Sequence, residues 1–152
     1  MKTLSFILAL ASSPTLAQES IIGVNLLSLH DRPGYESFTP GVYYRAPSGA
    51  GGGLLQNSIG RVSLHAEWTV QTDPLWRGLR VGVTAGFITG YNAPYTRCGG
   101  SQCQTIKGAP PVQFFVMPSL LFAEHHRIIY IPRKPADEHS AQALSYAFEF
   151  KF

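Results

Sequence analysis

The sequence predicts an all-β protein, a small antiparallel up-and-down transmembrane barrel of about eight strands. Three observations lead to this prediction: strict alternation over the last eleven residues, the same alternation over residues 61–71, and a length that suits eight short strands. In residues 142–152, large apolar side chains share one face, since a strand points successive side chains to opposite sides. They are Leu144, Tyr146, Phe148, Phe150 and Phe152. A strand of about ten residues crosses the hydrocarbon core at the tilt that barrels use, so the pattern favours lipid as the cover for this face.

The first seventeen residues have the features of a secretory signal peptide. Lys2 gives a positive start, residues 4–11 form an apolar run, and Thr15, Leu16 and Ala17 form a small-x-small cleavage site. The run is too short to span a bilayer as a helix, and no later stretch approaches eighteen uninterrupted apolar residues. We therefore expect export, cleavage after Ala17, and a single outer-membrane barrel domain over residues 18–152.

Charge and cysteine content narrow the function classes. A formal charge of +3 is too mild to indicate nucleic acid as a partner. Cys98 and Cys103 are five residues apart in a Gly-rich segment, which offers too few ligands for a metal and lacks the C-x-x-C spacing of redox motifs. In an exported chain we expect them to form a disulfide that stiffens a loop tip. Neither a metal nor a cofactor is predicted.

The remaining strands follow from apolar alternation and from the turn residues between them. The predicted strands are residues 20–30, 36–46, 54–58, 61–71, 79–91, 112–122, 127–132 and 142–152. The Gly-rich residues 47–53 are expected to be a flexible turn, and residues 92–111 the longest loop. Pro40 and Pro118 fall inside strands, where a proline removes a ladder donor.

Topology brings several polar residues to one end of the predicted barrel. With both chain ends on the periplasmic side, His30, Asn57 and Ser58 reach the outer rim, together with the cysteine loop and residues 133–134. A histidine within reach of a serine can act as a general base in acyl transfer, and a neighbouring amide can hold its tautomer. The alternative is that His30 is an ordinary rim residue and Ser58 an ordinary turn residue. A second pair, His65 and Glu67, is expected to form a structural network in the lumen.

Four segments resemble the lipid A palmitoyltransferase family of outer-membrane barrels and come in its order. They are LRVGVTAGF at 79–87, APPVQFFVMP at 109–118, IYIP at 129–132 and YAFEFKF at 146–152. His30 and Ser58 match the catalytic histidine and serine of the family, whereas Asn57 stands where the family has an aspartate. The amphipathic helix that precedes the family's barrel has no counterpart here.

This resemblance implies an enzyme of the outer membrane of a Gram-negative bacterium that moves an acyl chain from a phospholipid to lipid A. It also implies lateral access through sheet gaps at Pro40, Pro118 and Pro132. The implied partners are membrane lipids, both phospholipid and lipopolysaccharide, and the barrel is expected to be a monomer. Two alternatives stay open: a lipid esterase or deacylase with water as acceptor, and a non-enzymatic structural or host-interacting barrel.

Two further features favour an acyl substrate. Small inward residues, Gly82, Gly86 and Ala147 among them, leave room for a narrow chain, whose burial contributes about 0.8 kcal/mol per methylene. Basic residues gather at the predicted outer rim, where guanidinium groups suit lipid phosphates. They are Arg32, Arg61, Arg97, Lys107, Arg133 and Lys134.

Overall fold

The computed structural model describes residues 19–99, 101–134 and 140–152. The predicted signal peptide, residues 1–17, lies outside these residues. The strands are β1 (Ile21–His30), β2 (Phe38–Arg45), β3 (Ala50–Gln56), β4 (Val62–Gln71), β5 (Arg80–Ile88), β6 (Tyr95–Gly99), β7 (Gln102–Ile106), β8 (Gln113–Phe122), β9 (His126–Ile131) and β10 (Ala143–Lys151), with a short 3-10 turn at Trp76–Gly78. In this described part of the chain, no helix is long and apolar enough to cross a membrane.

Eight of these strands close into an antiparallel barrel in the order β1-β10-β9-β8-β5-β4-β3-β2. Neighbours along the chain pair with each other, and β10 pairs with β1 from Ile21–Lys151 to His30–Ala143. The predicted alternation is confirmed, because Leu144 and Phe150 of β10 are exposed on the outside, whereas Ala147 and Glu149 are fully buried inside. The fold is therefore the small up-and-down transmembrane-type barrel that the sequence predicts.

One predicted connection is wrong, and another contains structure that was not predicted. The Gly-rich segment is not a flexible turn, because β3 begins at Ala50 and ends at Gln56. These glycines permit close approach, since a Cβ on Gly53 would lie 2.7 Å from the Cβ of Tyr43. The predicted loop over residues 92–111 contains a two-stranded hairpin, β6 and β7, which lies outside the barrel sheet. Its polar alternation carries little apolar signal, so no strand was expected there.

The connections place the ends of the strands as predicted. Residues 31–37, 57–61, 89–112 and 132–142 join strands at one end, called the upper end below, and residues 46–49, 72–79 and 123–125 join them at the lower end. His30, Asn57 and Ser58 all belong to the upper end. The two longest connections, residues 89–112 and 132–142, belong to the upper end, which is the asymmetry of transmembrane barrels.

A charged network fills the lower half of the lumen. Glu149 lies between Arg45 of β2 and Arg127 of β9, with contacts of 3.0 Å and 2.6 Å to its Oε1. Arg45 also contacts Glu67 at 3.2 Å, and the Tyr43 hydroxyl donates to Glu149 at 2.6 Å. Because buried charges are tolerated when they are paired and hydrogen-bonded, this network is a compact polar core.

The expected room beside the inward glycines is already occupied. A Cβ on Gly82 would lie 2.9 Å from the Ser119 hydroxyl and 3.3 Å from Arg127, and one on Gly86 would lie 2.9 Å from the Phe115 ring. The prediction that these glycines open a channel for an acyl chain is therefore wrong. They accommodate large side chains of neighbouring strands, and Ala147 is completely buried.

Asp31 ties two connections together at the upper end. Its carboxylate accepts a hydrogen bond from Arg133, and it accepts the backbone N–H of Gln142 at 3.0 Å. Desolvation acts to raise the pKa of the Asp31 carboxyl, but the hydrogen bonds and the positive charge of Arg133 outweigh it and hold this pKa below its ordinary value of 3.8.

We expect this tie to weaken in acid. A carboxyl whose pKa is lowered by folding stabilises the fold above its ordinary pKa, and this contribution is lost as the pH falls through the folded-state pKa. Hydrogen exchange should therefore show less protection of the Gln142 amide at pH below 3.8 than at pH 6, after correction for intrinsic rates. The Lys134 amide is the control, because it donates to the Ser140 hydroxyl, which does not titrate in this range. Equal changes at both amides would contradict the assignment.

Candidate functional site

A cavity of about 770 Å³ occupies the upper part of the barrel. His30, Asn57 and Ser58 all contribute to its wall, so the structure brings the three predicted site residues to one space. Tyr35 and Tyr91 line the same space. Ligand sites are commonly concave, mostly apolar and provided with a few polar groups, and this cavity has that character.

His30 is held by an aromatic ring. Its imidazole stacks on Tyr35, with the ring centroids 5.1 Å apart and the planes inclined by 23°. The ring is also hydrogen-bonded to the backbone of Ser28. Within the described residues, the His30 Nδ1 is buried and has no hydrogen-bond partner. One nitrogen of the imidazole thus has no bonding partner in the part of the protein that the structure describes.

Asn57 is fully buried and its side chain is engaged by the turn between β3 and β4. Its Oδ1 accepts the backbone N–H groups of Ile59 and Arg61, each at 3.0 Å. Its amide nitrogen donates to the Ser63 hydroxyl at 2.9 Å and to the Gly90 carbonyl at 3.2 Å. These bonds fix the turn that carries Ser58. The role of orienting His30, predicted for Asn57, stays a prediction.

Ser58 interacts with a tyrosine. The side chain and backbone of Ser58 hydrogen-bond with Tyr91, which follows β5. Burial raises the pKa of the Tyr91 hydroxyl, the bonds with Ser58 act in the opposite direction, and the nearby Tyr35 raises the pKa further. On the cavity wall, His30 thus stacks on Tyr35, and Ser58 bonds with Tyr91; these four residues are called the rim cluster below.

The two tyrosines of the rim cluster were missed in the sequence. Tyr35 follows the turn after β1, and Tyr91 lies beyond the end of β5, where alternation has ceased. A tyrosine in a connection has no periodic signal that distinguishes it from a solvent-exposed side chain. Only the closure of the barrel brings these connections to the same rim.

The cavity is apolar on one side and polar at its floor. The apolar side is formed by inward residues of β8 and β9, namely Phe115, Met117, Ile129 and Ile131. The floor includes Tyr43, Arg45, His65 and Glu67, with His65 Nε2 at 3.5 Å from the Glu67 carboxylate. The charged network below therefore closes the cavity toward the lower end. The prediction that His65 and Glu67 pair inside the barrel agrees with this geometry.

The wall of the cavity has a gap between β8 and β9. In the described part of the chain, their ladder pairs residues 119–122 with residues 126–129, whereas Gln113–Pro118 of β8 pair with β5. Pro118 is the first residue above the paired section, and proline has no N–H to donate. Phe114 of β8 and Pro132, which follows β9, also border the cavity, so the cavity lies beside this gap.

Pro40 marks a second irregularity. The register between β1 and β2 shifts between Asn25 and Leu27, opposite Pro40. On the other side, the ladder of β2 with β3 begins at the pair Gly41–Leu55. Above this pair, the connection between β1 and β2 contacts the connection between β3 and β4, because the Glu36 N–H donates to the Ser58 carbonyl at 2.8 Å. This second gap is short and lies beside the turn that carries Ser58.

The predicted disulfide is confirmed, because Cys98 and Cys103 are bonded across the hairpin. Several of the predicted rim cations hold connections in place. Arg61 donates to the carbonyls of Ala93 and Pro94 at 2.8 Å and 2.7 Å, and Arg133 bonds with Asp31. Among the described residues, no group of three or more His, Cys, Asp and Glu side chains is placed to hold a metal ion.

The closed meander of eight strands, apolar outside and charged inside, defines a small barrel of the transmembrane type. A solved structure to which the chain is similar is the N-terminal β-barrel domain of Pseudomonas aeruginosa OprF, with a TM-score of 0.45 and 12% identity over 89% of this chain and 98% of that chain. No family model and no curated protein matches the sequence. The resemblance to the lipid A palmitoyltransferase family therefore stays a prediction.

Proposed function

We propose that this protein is an outer-membrane barrel that takes one acyl chain of a phospholipid into its cavity and transfers it to lipid A or a related hydroxyl acceptor. The observation that carries the proposal is the cavity of about 770 Å³, which has His30 and Ser58 on its wall and an apolar side formed by β8 and β9. In a barrel with a purely structural role, side chains can fill the lumen completely, and no cavity is required.

The outer surface supports a membrane location. Exposed side chains around the barrel are large and apolar, for example Leu64, Val62 and Phe114. In water such a continuous surface is an aggregation or interaction site, whereas lipid covers it without cost. The gap between β8 and β9 then opens toward lipid, which gives an acyl chain a route from the bilayer to the cavity beside Pro118 and Pro132.

The proposed reaction is a transesterification, in which the acyl group moves from the phospholipid ester to a hydroxyl group of the acceptor. The acceptor hydroxyl oxygen attacks the acyl carbonyl carbon, its new C–O bond forms, and the bond to the glycerol oxygen breaks. His30 accepts the proton of the acceptor hydroxyl and returns it to the leaving glycerol oxygen. In this route Ser58 donates a hydrogen bond to the carbonyl oxygen. In the alternative route the Ser58 oxygen attacks first and its proton passes through His30 to the leaving glycerol oxygen; the acceptor hydroxyl then attacks the acyl-serine, the bond to the Ser58 oxygen breaks, and the acceptor's proton returns through His30 to Ser58. Asn57 supports the step by holding the turn of Ser58.

Two other functions use the same fold. A deacylase would pass the acyl group to water through the same residues. A non-enzymatic barrel is favoured by the charged network, because Glu149, Arg45 and Arg127 fill the lower lumen as they would in a purely structural protein. The hollow upper half distinguishes the enzyme proposal from this second candidate.

The decisive measurement is the mass of lipid A. A strain that expresses the protein should contain lipid A heavier by one acyl group than that of a matched strain with an empty vector, and the mass difference identifies the chain. Free fatty acid without heavier lipid A would assign the deacylase. No change in either product, with the barrel folded in the membrane, would reject both enzymes.

Filling the cavity should block the chain. Met117→Trp places a larger side chain on the apolar wall and displaces about two or three methylenes, each of which contributes about 0.8 kcal/mol when buried. We expect a binding loss of about 30-fold for a fluorescent fatty acid and a similar loss of transfer. Val116→Trp is the matched control, because the neighbouring side chain points outward to the lipid face. Equal binding by both variants would place the acyl chain elsewhere.

A further inference from the structure

The disulfide-bonded hairpin packs against the turn between β1 and β2. Gly34 of this turn has φ +82°, and a Cβ there would lie 2.5 Å from the Cys98 carbonyl oxygen. Gly99 approaches Pro33, with 3.2 Å between its ideal Cβ position and the Pro33 ring. The hairpin and the turn therefore touch along their backbones, and residues of the hairpin such as Tyr95 and Ile106 also border the cavity.

One side chain of the hairpin reaches the ring on which His30 rests. Arg97 Nη1 donates to the Tyr35 hydroxyl at 3.1 Å, and the Arg97 guanidinium carbon lies 5.5 Å from the centroid of the Tyr35 ring. The His30 imidazole is another neighbour of this ring, with 5.1 Å between the ring centroids. Arg97, Tyr35 and His30 thus form a continuous series of contacts from the hairpin to the cavity.

The disulfide has a physical role in this series. Arg97 directly precedes Cys98, and the ladder of the hairpin pairs Cys98 with Cys103 and Arg97 with Gln104. A two-stranded hairpin outside a larger sheet is at best marginally stable in water. The covalent bond keeps the two strands paired, and with them the position of Arg97 over the turn.

We propose that Tyr35 and Arg97 are positioning residues for His30, and that the Cys98–Cys103 disulfide maintains their arrangement. The positioning of the His30 ring by Tyr35, Arg97 and the disulfide does not depend on the proposed reaction. The consequence for catalysis rests on the proposed function, since a base displaced by about 1 Å loses on the order of 100-fold in rate. Opening the hairpin should therefore lower acyl transfer while the apolar side of the cavity, formed by β8 and β9, stays in place.

The first test measures the His30 ring by NMR in detergent micelles with isotope-labelled histidine. In the wild type the stacked Tyr35 ring should shift the His30 proton signals upfield. Tyr35→Leu should remove this shift, and Tyr35→Phe should keep it because the ring remains. Arg97→Ala and the double variant Cys98→Ser with Cys103→Ser should both reduce it. Unchanged His30 signals in these last two variants would overturn the proposal.

A matched control uses the other end of the barrel. Arg77 lies over Trp76 with 4.5 Å to the ring centroid, in the lower turn. Arg77→Ala removes the same kind of contact and should leave the His30 signals unchanged. A change of equal size in this variant would mean that the signals report general loosening, and would count against the proposal.

The second test compares the rates of transfer. Arg97→Ala and the cysteine variant should lower kcat by on the order of 10-fold to 100-fold, because His30 is less well placed. KM should be unchanged, because the acyl chain still binds against the apolar side formed by β8 and β9. A rise in KM alone would overturn the positioning role. If the His30 signals change in these variants but the wild type transfers no acyl group, the proposed function is refuted and the positioning of His30 is still supported.

Discussion

Replacing Glu149 with glutamine is expected to lower the free energy of unfolding of the barrel by about 3–5 kcal/mol. The Glu149 carboxylate is fully buried and accepts hydrogen bonds from Tyr43 at 2.6 Å, from Arg45 at 3.0 Å and from Arg127 at 2.6 Å and 3.2 Å. Glutamine has the same shape but no charge, so two buried guanidinium groups lose their common partner. Urea unfolding in micelles, followed by the electrophoretic mobility of unheated protein, measures the loss.

The matched control is Glu124→Gln. Glu124 lies in the lower turn between β8 and β9 and is exposed, with its carboxylate 3.6 Å from Lys151. An exposed pair contributes about 0–1 kcal/mol, so this variant should unfold close to the wild type. Similar midpoints for the two variants would show that the network inside the barrel does not depend on the Glu149 charge.

Replacing His30 with alanine is expected to lower the rate of acyl transfer by about 10²–10⁴-fold, the usual contribution of a general base. Its ring lies at the cavity mouth, half-buried, with its Nδ1 unbonded within the described residues. Ser58→Ala should cause a loss of similar size if Ser58 is acylated, and a smaller one if it only donates a hydrogen bond. The rate is measured with purified protein, a phospholipid donor and lipid A in mixed micelles.

His125→Ala provides the control for this experiment. His125 lies at the lower end, where its Nδ1 contacts the Glu149 backbone carbonyl at 2.8 Å and its ring stacks on Phe148. It has no access to the cavity wall, so transfer should continue at the wild-type rate. Full activity of the His30 variant, with its folding intact, would remove His30 from the reaction.

Much of the fold was predictable because barrel strands have a period of two and a fixed length. The inward and outward faces of β2, β4, β5 and β10 follow from alternation alone, and the cysteine pair follows from spacing together with the predicted export. Strand β3 was misplaced because three consecutive glycines have turn composition. Their suitability for a strand arises from Tyr43 of the neighbouring strand, which local sequence does not show.

The candidate site, like the fold, was predictable from the sequence only in part. By itself, the sequence determined that His30, Asn57 and Ser58 lie at one end of a closed barrel, since strand count and direction set the height of each residue. Only the tertiary structure decided that the Asn57 oxygen bonds within its own turn, that His30 stacks on Tyr35 while Ser58 bonds with Tyr91, and that large side chains occupy the space beside the glycines. The reason is physical: height along a strand follows from chain position, whereas contacts across the lumen depend on which side chains the closed sheet brings face to face.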